Sequence, residues 1–319
     1  MKDKQVILVD MNQVMISNVM VQIGNHHNVE FEESLIRHMV LNSIRSYRRK
    51  FVKDYGELVL CFDDKNYWRR DIFPYYKANR KKSRESSELN WNELFRILNL
   101  VRDEIKEVFP YKTVQVDRAE ADDAIGTLCH KFGVELNAGS TEKILILSAD
   151  KDFIQLHKYA NVTQYDPIRK RWLRHANPNQ YIMEHIMKGD TGDGVPNMLS
   201  EDDCLVMGTR QRPMTQKRIA QYTAELKNDC MTNETILRGY QRNKAMIDLS
   251  MVPDYIQEEA GSTADVIWGH GYDESLGDKL CVTIIATGFN TTPHTGLSMK
   301  APKKNIMNLE DESVVENSS

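Results

Sequence analysis

Carboxylates recur at the ends of apolar runs in the N-terminal half of this chain. Gln5-Val-Ile-Leu-Val runs into Asp10, Leu58-Val-Leu-Cys-Phe runs into Asp63 and Asp64, and Lys143-Ile-Leu-Ile-Leu-Ser-Ala runs into Asp150, with Asp152 two residues on. Between them Glu120, Asp122 and Asp123 open a helical pattern. Two carboxylates ~5 Å apart repel by roughly 3 kcal/mol at an effective dielectric of about 20, so a cluster of them folds only if cations or protons neutralise it. An all-oxygen donor set without His or Cys favours Mg²⁺ or Mn²⁺ over zinc. The chemistry this implies is phosphodiester hydrolysis at a two-metal site.

For that chemistry the carboxylates must meet, and the elements carrying them predict that they do. Short, nearly unbroken apolar runs read as buried parallel strands, here at residues 5–9, 57–62, 113–116, 143–148 and 162–165. Helical spacing appears between them: Leu35, Ile36, Met39, Val40, Ile44 and Tyr47, then Leu94, Ile97, Leu98 and Val101. Strands alternating with helices predict an α/β fold with a mostly parallel central sheet. In such a sheet the carboxyl ends of the strands share one edge, where ligands bind. Structural readings remain open for each acid: a strand-end turn for Asp10, the helix dipole for Glu120, Asp122 and Asp123, an N-cap for Asp152.

The segment from Lys65 to Arg84 interleaves cations with Tyr67, Trp68, Phe73, Tyr75 and Tyr76. Single-stranded nucleic acid is held by this mixture, cations on phosphates and rings on bases. Arg70, Tyr75, Tyr76, Lys77, Arg80, Lys81 and Arg84 are the candidate nucleic-acid contacts, and the last four basic positions form one face if the segment is helical. The alternative is a charged surface with its rings in the core. A further basic cluster, Arg45, Arg48, Arg49 and Lys50, ends the first helical pattern, where cations are favoured in any case. Beyond a helix near Met183–Met187, residues Gly189 to Pro196 make a glycine-rich turn containing Asp190 and Asp193, with amides able to hold a phosphate or ion.

Net charge is −4, with 41% hydrophobic and 28% charged residues, ordinary for a soluble globular protein. The five cysteines are scattered without C-x-x-C spacing, which suggests reduced thiols in the cytoplasm. No apolar run reaches transmembrane length, and the first strand is too short for a signal core. His26-His27 reads as surface. Hydrolase triad, HExxH, Walker and dinucleotide motifs are missing. Residues 1–180 are expected to form the α/β core, residues 181–297 a helical domain, and residues 298–319 a flexible tail.

In order, the chain presents strand-Asp, strand-Asp, an aromatic-basic block, Glu-x-Asp-Asp, strand-x-Asp-x-Asp and Gly-Asp-x-x-Asp-Gly. This series resembles the structure-specific 5′-nuclease (flap endonuclease) superfamily, and within it the ribonucleases H of T-even bacteriophages. Tyr67–Asp71, Tyr75–Arg80, Asp152–Lys158 and Lys188–Asp190 carry the likeness, which runs through residues 5–290. The resemblance implies a PIN-like core with a helical arch at about 75–92, and a smaller helical domain on duplex DNA with a helix–three-turn–helix module. It implies that Asp10, Asp63, Glu120, Asp122, Asp150, Asp152, Asp190 and Asp193 hold two Mg²⁺, replaceable by Mn²⁺, directly or through water. Asp123 matches an acidic position of some relatives, and Asp64 lies beside the site. Lys77 and Arg80 approach the scissile phosphate, with Asp150 the third catalytic residue, and Tyr76 stacks on a terminal base.

The activity implied is 5′-to-3′ exonuclease and flap endonuclease hydrolysis of RNA primers, adjoining DNA and 5′ flaps in lagging-strand replication. RNA–DNA hybrid and flap or nicked duplex DNA are the implied partners, with single-strand-binding protein and sliding clamp besides, for a monomer without a membrane role. The other readings are a weakly catalytic nucleic-acid-binding protein on this scaffold, or a phosphotransferase using Asp150-Lys-Asp152. One departure stands out: Glu201-Asp-Asp203 follows the turn and would repel a phosphate backbone.

Overall fold

A computed structural model describes residues 5–23, 31–87, 89–133 and 143–267. His26-His27, the expected tail and the end of the expected helical domain lie outside the described residues. Six strands form one sheet: β1 (Gln5–Asp10), β2 (Glu57–Cys61), β3 (Lys112–Val114), β4 (Lys143–Leu147), β5 (Val162–Asp166) and β6 (Arg171–Leu173). Their order is β3-β2-β1-β4-β5-β6, parallel except for the antiparallel pair β5–β6.

Alternate residues of the central strands enter opposite cores, as the two-residue period of a strand requires. Val6 and Leu8, Val59 and Cys61, and Ile144 and Ile146 pack on one face; Ile7 and Val9, Leu58 and Leu60, and Leu145 and Leu147 pack on the other. Burial on both faces explains why these runs are apolar throughout. On the second face lie α1 (Met11–Ile23), α2 (Glu33–Tyr55) and α5 (Trp91–Val108). The buried stripe Leu94, Ile97, Leu98, Val101 and Ile105 of α5 shows the helical repeat. On the first face lie α6 (Ala121–Phe132) and α11 (Asp254–Ile267), packed together.

Short helices α3 (Arg69–Ile72) and α4 (Asn79–Glu85) occupy the aromatic-basic segment. Asp152–Lys158 is a 3-10 turn that packs against α7 (Pro178–Lys188). Turns at residues 191–194, 198–199 and 202–203 then lead into α8 (Cys204–Met207), followed by α9 (Gln216–Lys227) and α10 (Glu234–Ile247).

Register sets the site. Asp10 pairs with Cys61, and Val9 pairs with Leu147. The three tips therefore end at nearly one level, and Asp63 and Asp150 follow within three residues of theirs. Chain order runs outward from β1 in both directions, so the switch point of the sheet lies between β1 and β4, where open parallel sheets bind ligands.

Candidate active site

A recess of about 330 Å³ at this edge is lined by Asp10, Asp63, Glu120, Asp122 and Asp150, with Lys77, Arg80 and Arg84. Asp10 accepts the Gln13 amide at 3.1 Å and the Ser148 hydroxyl at 3.0 Å. Burial outweighs both bonds and holds its carboxyl above the usual range. Asp63 accepts the Ala121 amide at 2.8 Å, and burial and then the Glu120 charge push it up to about 7. Asp122 is raised by burial and by Glu120. Asp150 is exposed by surface area, yet desolvation by the recess walls, followed by Asp152, Asp10 and Asp193, lifts it to about 7; solvent screens part of that effect. Its loop is pinned by the buried Gln164, whose amide nitrogen donates to the carbonyls of Ser148 at 2.9 Å and Asp150 at 2.6 Å. Among the described residues no cationic side chain pairs with Asp10, Asp63, Asp122 or Asp150 within 4 Å in this structure.

Glu120 and Asp193 are treated differently. The buried Glu120 caps α6, with Asp123 closing the capping box. Its oxygens are taken by Arg69 at 2.9 Å, the Tyr76 hydroxyl at 2.8 Å and Lys77. Burial disfavours its ionised form, but Lys77 and Arg69 outweigh that and hold it below the usual range. Asp193 meets Lys77 at 3.5 Å, the Tyr76 hydroxyl at 3.2 Å and Arg80. Asp123, 0% exposed, is bound by Arg69 at 2.7 Å and the Trp68 indole at 3.0 Å, so it neutralises Arg69 rather than facing the recess. Asp64 accepts the amides of Asn66 and Arg118, which outweigh its partial burial and hold it low.

The glycine-rich turn serves Lys77. Gly194 has φ +76°, and a Cβ there would stand 2.8 Å from the Tyr75 carbonyl. That close approach lets the Lys77 amide donate to the Asp193 carbonyl at 2.7 Å. Lys77 itself sits at φ +58°, a conformation a side chain adopts only when its surroundings impose it. The turn's own amides are used internally: Gly192 and Asp193 donate to Asp190 Oδ1 at 2.7 and 3.2 Å. They are thus not free for a phosphate in this conformation, contrary to the expectation from the glycine content.

Asp152 and Asp190 do not line the recess. They meet at His185, whose Nε2 lies 3.2 Å from Asp152 and 3.7 Å from Asp190. Burial lowers the imidazole's affinity for a proton, but the two carboxylates overcome this and raise it to about 10. A histidine thus stands between two of the acids that the sequence grouped into an all-oxygen set. Sequence reasoning missed His185, whose signal was a histidine five residues before Asp190 on a helix. It also missed Arg69, which lies beside Trp68 in the Tyr67–Asp71 segment.

Two expectations for the basic-aromatic segment change, and one for the acidic segment after the turn. Trp68, Phe73 and Tyr76 are buried, because indole and phenol hydrogens satisfy Asp123 and Glu120 inside the protein; Tyr76, 2% exposed, offers no face to a base here. The single basic face does not form, because α4 begins at Asn79 and Lys77 precedes it. The acidic segment at 201–203 is partly neutralised, since Arg238 and the buried Arg242 both pair with Asp202. Arg70, Arg80 and Arg84 are exposed and Tyr75 is half-buried. Lys81 lies in the backbone of α4. Arg84 lies 4.8 Å over the Phe95 ring, and Arg70 lies 5.0 Å over that of Tyr67. Of the other basic cluster, Arg48 pairs with Glu57, and Lys50 donates to the Tyr165 hydroxyl.

A parallel sheet with carboxylates gathered at its switch point, cations at their rim and turns leading into the following helices defines an α/β nuclease-type fold. Comparison with known proteins gives the family. The profile described as 5′-3′ exonuclease, N-terminal resolvase-like domain, matches residues 5–186. Ribonuclease H of enterobacteria phage T4 is 35% identical over 259 residues, covering 78% of this chain and 82% of that protein. A 5′-3′ exonuclease of Buchnera aphidicola is 28% identical over 47% of this chain and 50% of its own length. Flap endonuclease Xni of a Shewanella strain is 28% identical over 41% of this chain and 48% of its own length. The bacteriophage T5 D15 flap endonuclease, solved with DNA and metal ions, shares the fold with a TM-score of 0.54 at 16% identity, over 82% of this chain and 97% of that one. The chain belongs to the 5′-3′ exonuclease family of the flap endonuclease superfamily and is a nuclease, a hydrolase of phosphodiester bonds. Among the described residues no helix is long and apolar enough to cross a membrane.

Proposed function

We propose that this protein is a Mg²⁺-dependent 5′-to-3′ exonuclease and flap endonuclease that removes RNA primers, with adjoining DNA or 5′ flaps, during lagging-strand synthesis. The observation that carries the reading is the gathering of Asp10, Asp63, Asp122 and Asp150 in one recess where, among the described residues, no cationic side chain stands within 4 Å of them. Carboxylates raised toward neutrality by burial and mutual repulsion have the donor chemistry of a hard divalent ion. The residues therefore fit the metal the family implies. One ion would be held by Asp10, Asp63, Asp122 and Asp150. The other would be held beside Asp152 and Asp190, with Glu120 and Asp193 acting through Lys77 and Arg80. Such ions supply Lewis-acid activation of water and stabilisation of charge on the phosphate; Mn²⁺ has the same ligand preferences.

This chain's own residues do the rest. Lys77 and Arg80 hold positive charge at the mouth of the recess, where it offsets charge growing on the phosphoryl oxygens. Their pairing with Glu120 and Asp193 keeps them in place before substrate arrives. Arg70 and Arg84, exposed beside aromatic rings, extend that charge along a single strand. The names of the relatives, ribonuclease H, 5′-3′ exonuclease and flap endonuclease, support a 5′-directed reaction on RNA–DNA hybrids and flaps; to these we add nicked duplex, and we assign the reaction to a cytoplasmic monomer. The helices after the turn serve the duplex in this reading.

The test uses a 5′-labelled RNA primer on DNA and a matched DNA flap, with Mg²⁺ or with EDTA. Short 5′ products are expected with Mg²⁺ alone. Binding without cleavage would make the protein a nucleic-acid-binding module instead. Lys77→Ala is expected to slow single-turnover cleavage on the order of 10²-fold while Mn²⁺ still binds; an unchanged rate removes Lys77 from the reaction.

A further inference from the structure

We infer that His185 is a ligand of the second cation position, beside Asp152 and Asp190, which makes that position a mixed nitrogen–oxygen site next to an all-oxygen one. This rests on the two-metal reading above. One ligand atom from each of the three residues lies within 4.8 Å of the other two. Nε2 stands 3.2 Å from Asp152 Oδ1 and 3.7 Å from Asp190 Oδ2. Around a six-coordinate ion with bonds of about 2.1 Å, neighbouring ligands stand about 3 Å apart, so a small contraction brings the three atoms to ligand spacing. Nε2 is shielded from solvent, and its contacts with the two carboxylates fall short of hydrogen-bond geometry, so a cation between the three atoms would give all of them a better-directed partner.

Rigid pieces present all three donors. His185 lies in the last turn of α7, where the Gly189 amide caps its carbonyl at 2.8 Å. Gly189 has φ +69°, and a Cβ there would stand 2.5 Å from the Pro196 carbonyl, so the step from the helix to Asp190 has one form. Asp152 opens the 3-10 turn packed on α7. The Tyr181 ring lies parallel to the imidazole, 11° apart in plane with centroids 5.7 Å apart, and fixes its tilt. Imidazole prefers later transition ions, whereas carboxylate and water suit Mg²⁺. The second position then discriminates less in favour of Mg²⁺ than the first does. In the rival arrangement His185 is only an imidazolium counter-ion to Asp152 and Asp190. The two differ in sign: removing a ligand weakens metal binding, and removing a competing cation strengthens it.

The experiment is a Mn²⁺ titration of the DNA-free protein followed by EPR, with electron spin-echo modulation read for ¹⁴N coupling. Wild type is expected to bind Mn²⁺ with histidine nitrogen modulation. His185→Ala is expected to lose the modulation and about tenfold in affinity at one position, with a smaller loss for Mg²⁺. His185→Gln, which keeps more of the side-chain bulk, should lose the modulation as well and guards against a folding artefact. Unchanged or tighter Mn²⁺ binding by His185→Ala, or no ¹⁴N modulation in wild type, overturns the assignment. If Asp150→Asn weakens Mn²⁺ binding while His185→Ala does not, this inference alone fails. If wild type binds no Mn²⁺, the two-metal reading fails with it.

Discussion

Glu120 and Asp122 stand two residues apart at the start of α6, yet their charges meet opposite surroundings. Glu120 is enclosed by Arg69, Lys77 and the Tyr76 hydroxyl, which keep it ionised. Asp122 lines the recess with Asp10, Asp63 and Asp150, and burial, followed by the Glu120 charge, pushes it toward its neutral form. One set of acids is balanced from within; the other depends on something from outside. The balanced set places cations and braces the site. In the proposed function, the unbalanced set is where a divalent ion would lower the free energy of the folded chain.

The largest effect expected from breaking this contrast is on stability. Arg69 is 1% exposed and neutralises two buried carboxylates, Glu120 and Asp123. Arg69→Ala strands both, and losing one partner of a buried pair costs about 3–5 kcal/mol. Urea unfolding should show a loss of that size; a change under ~1 kcal/mol would mean that Arg69 is not the internal counter-charge. Next comes Asp150→Asn, which should cut cleavage by about 10²-fold or more without lowering the stability of the metal-free protein. A destabilised metal-free variant would place Asp150 with the balanced set.

The third effect is a pH dependence. Asp63 and Asp150 have folded values of about 7, above the ordinary carboxylate range near 4. A raised folded value means that the folded chain binds more protons than the unfolded chain between those limits. Stability is then fully present near pH 4 and is lost as pH rises through about 7. Melting of the metal-free protein should therefore fall over that window, and the gain from adding Mg²⁺ should grow over it. A gain that is flat with pH would show that the recess is not charge-frustrated. The smallest effect belongs to Arg80→Ala. Its pair with Asp193 is half open to water, and such a pair is worth at most about 1 kcal/mol, so melting should hardly move while single-turnover cleavage slows. A large stability loss would shift Arg80 to a bracing role.

Much of the architecture was legible. The runs ending at Asp10, Asp63 and Asp150 are strands because their faces are buried on both sides, and that leaves an unbroken apolar signature. The helices α2, α5 and α6 showed their repeats. Helix α1 went unread, although Met11, Val14, Met15 and Val19, all buried, carry helical spacing. The three-residue strand β6, with Arg171 and an exposed Trp172, has too short a pattern to read. The aromatic-basic segment misled most. Its rings looked like a platform for bases, but Trp68 and Tyr76 turn inward to donate to Asp123 and Glu120, a choice that depends on partners more than forty residues away.

By itself the sequence determined where the negative charge is and which strand tips carry it, since alternation and apolar runs are local properties of the chain. It could not say which acids already own a cation. Electrostatic energy depends on separation in space, and only the packing of α3, the Lys77 bend and the end of α7 brought Arg69, Lys77 and His185 to within reach of particular carboxylates. Tertiary structure therefore divided the acids into those that brace the recess with internal cations and those that line it without one among the described residues.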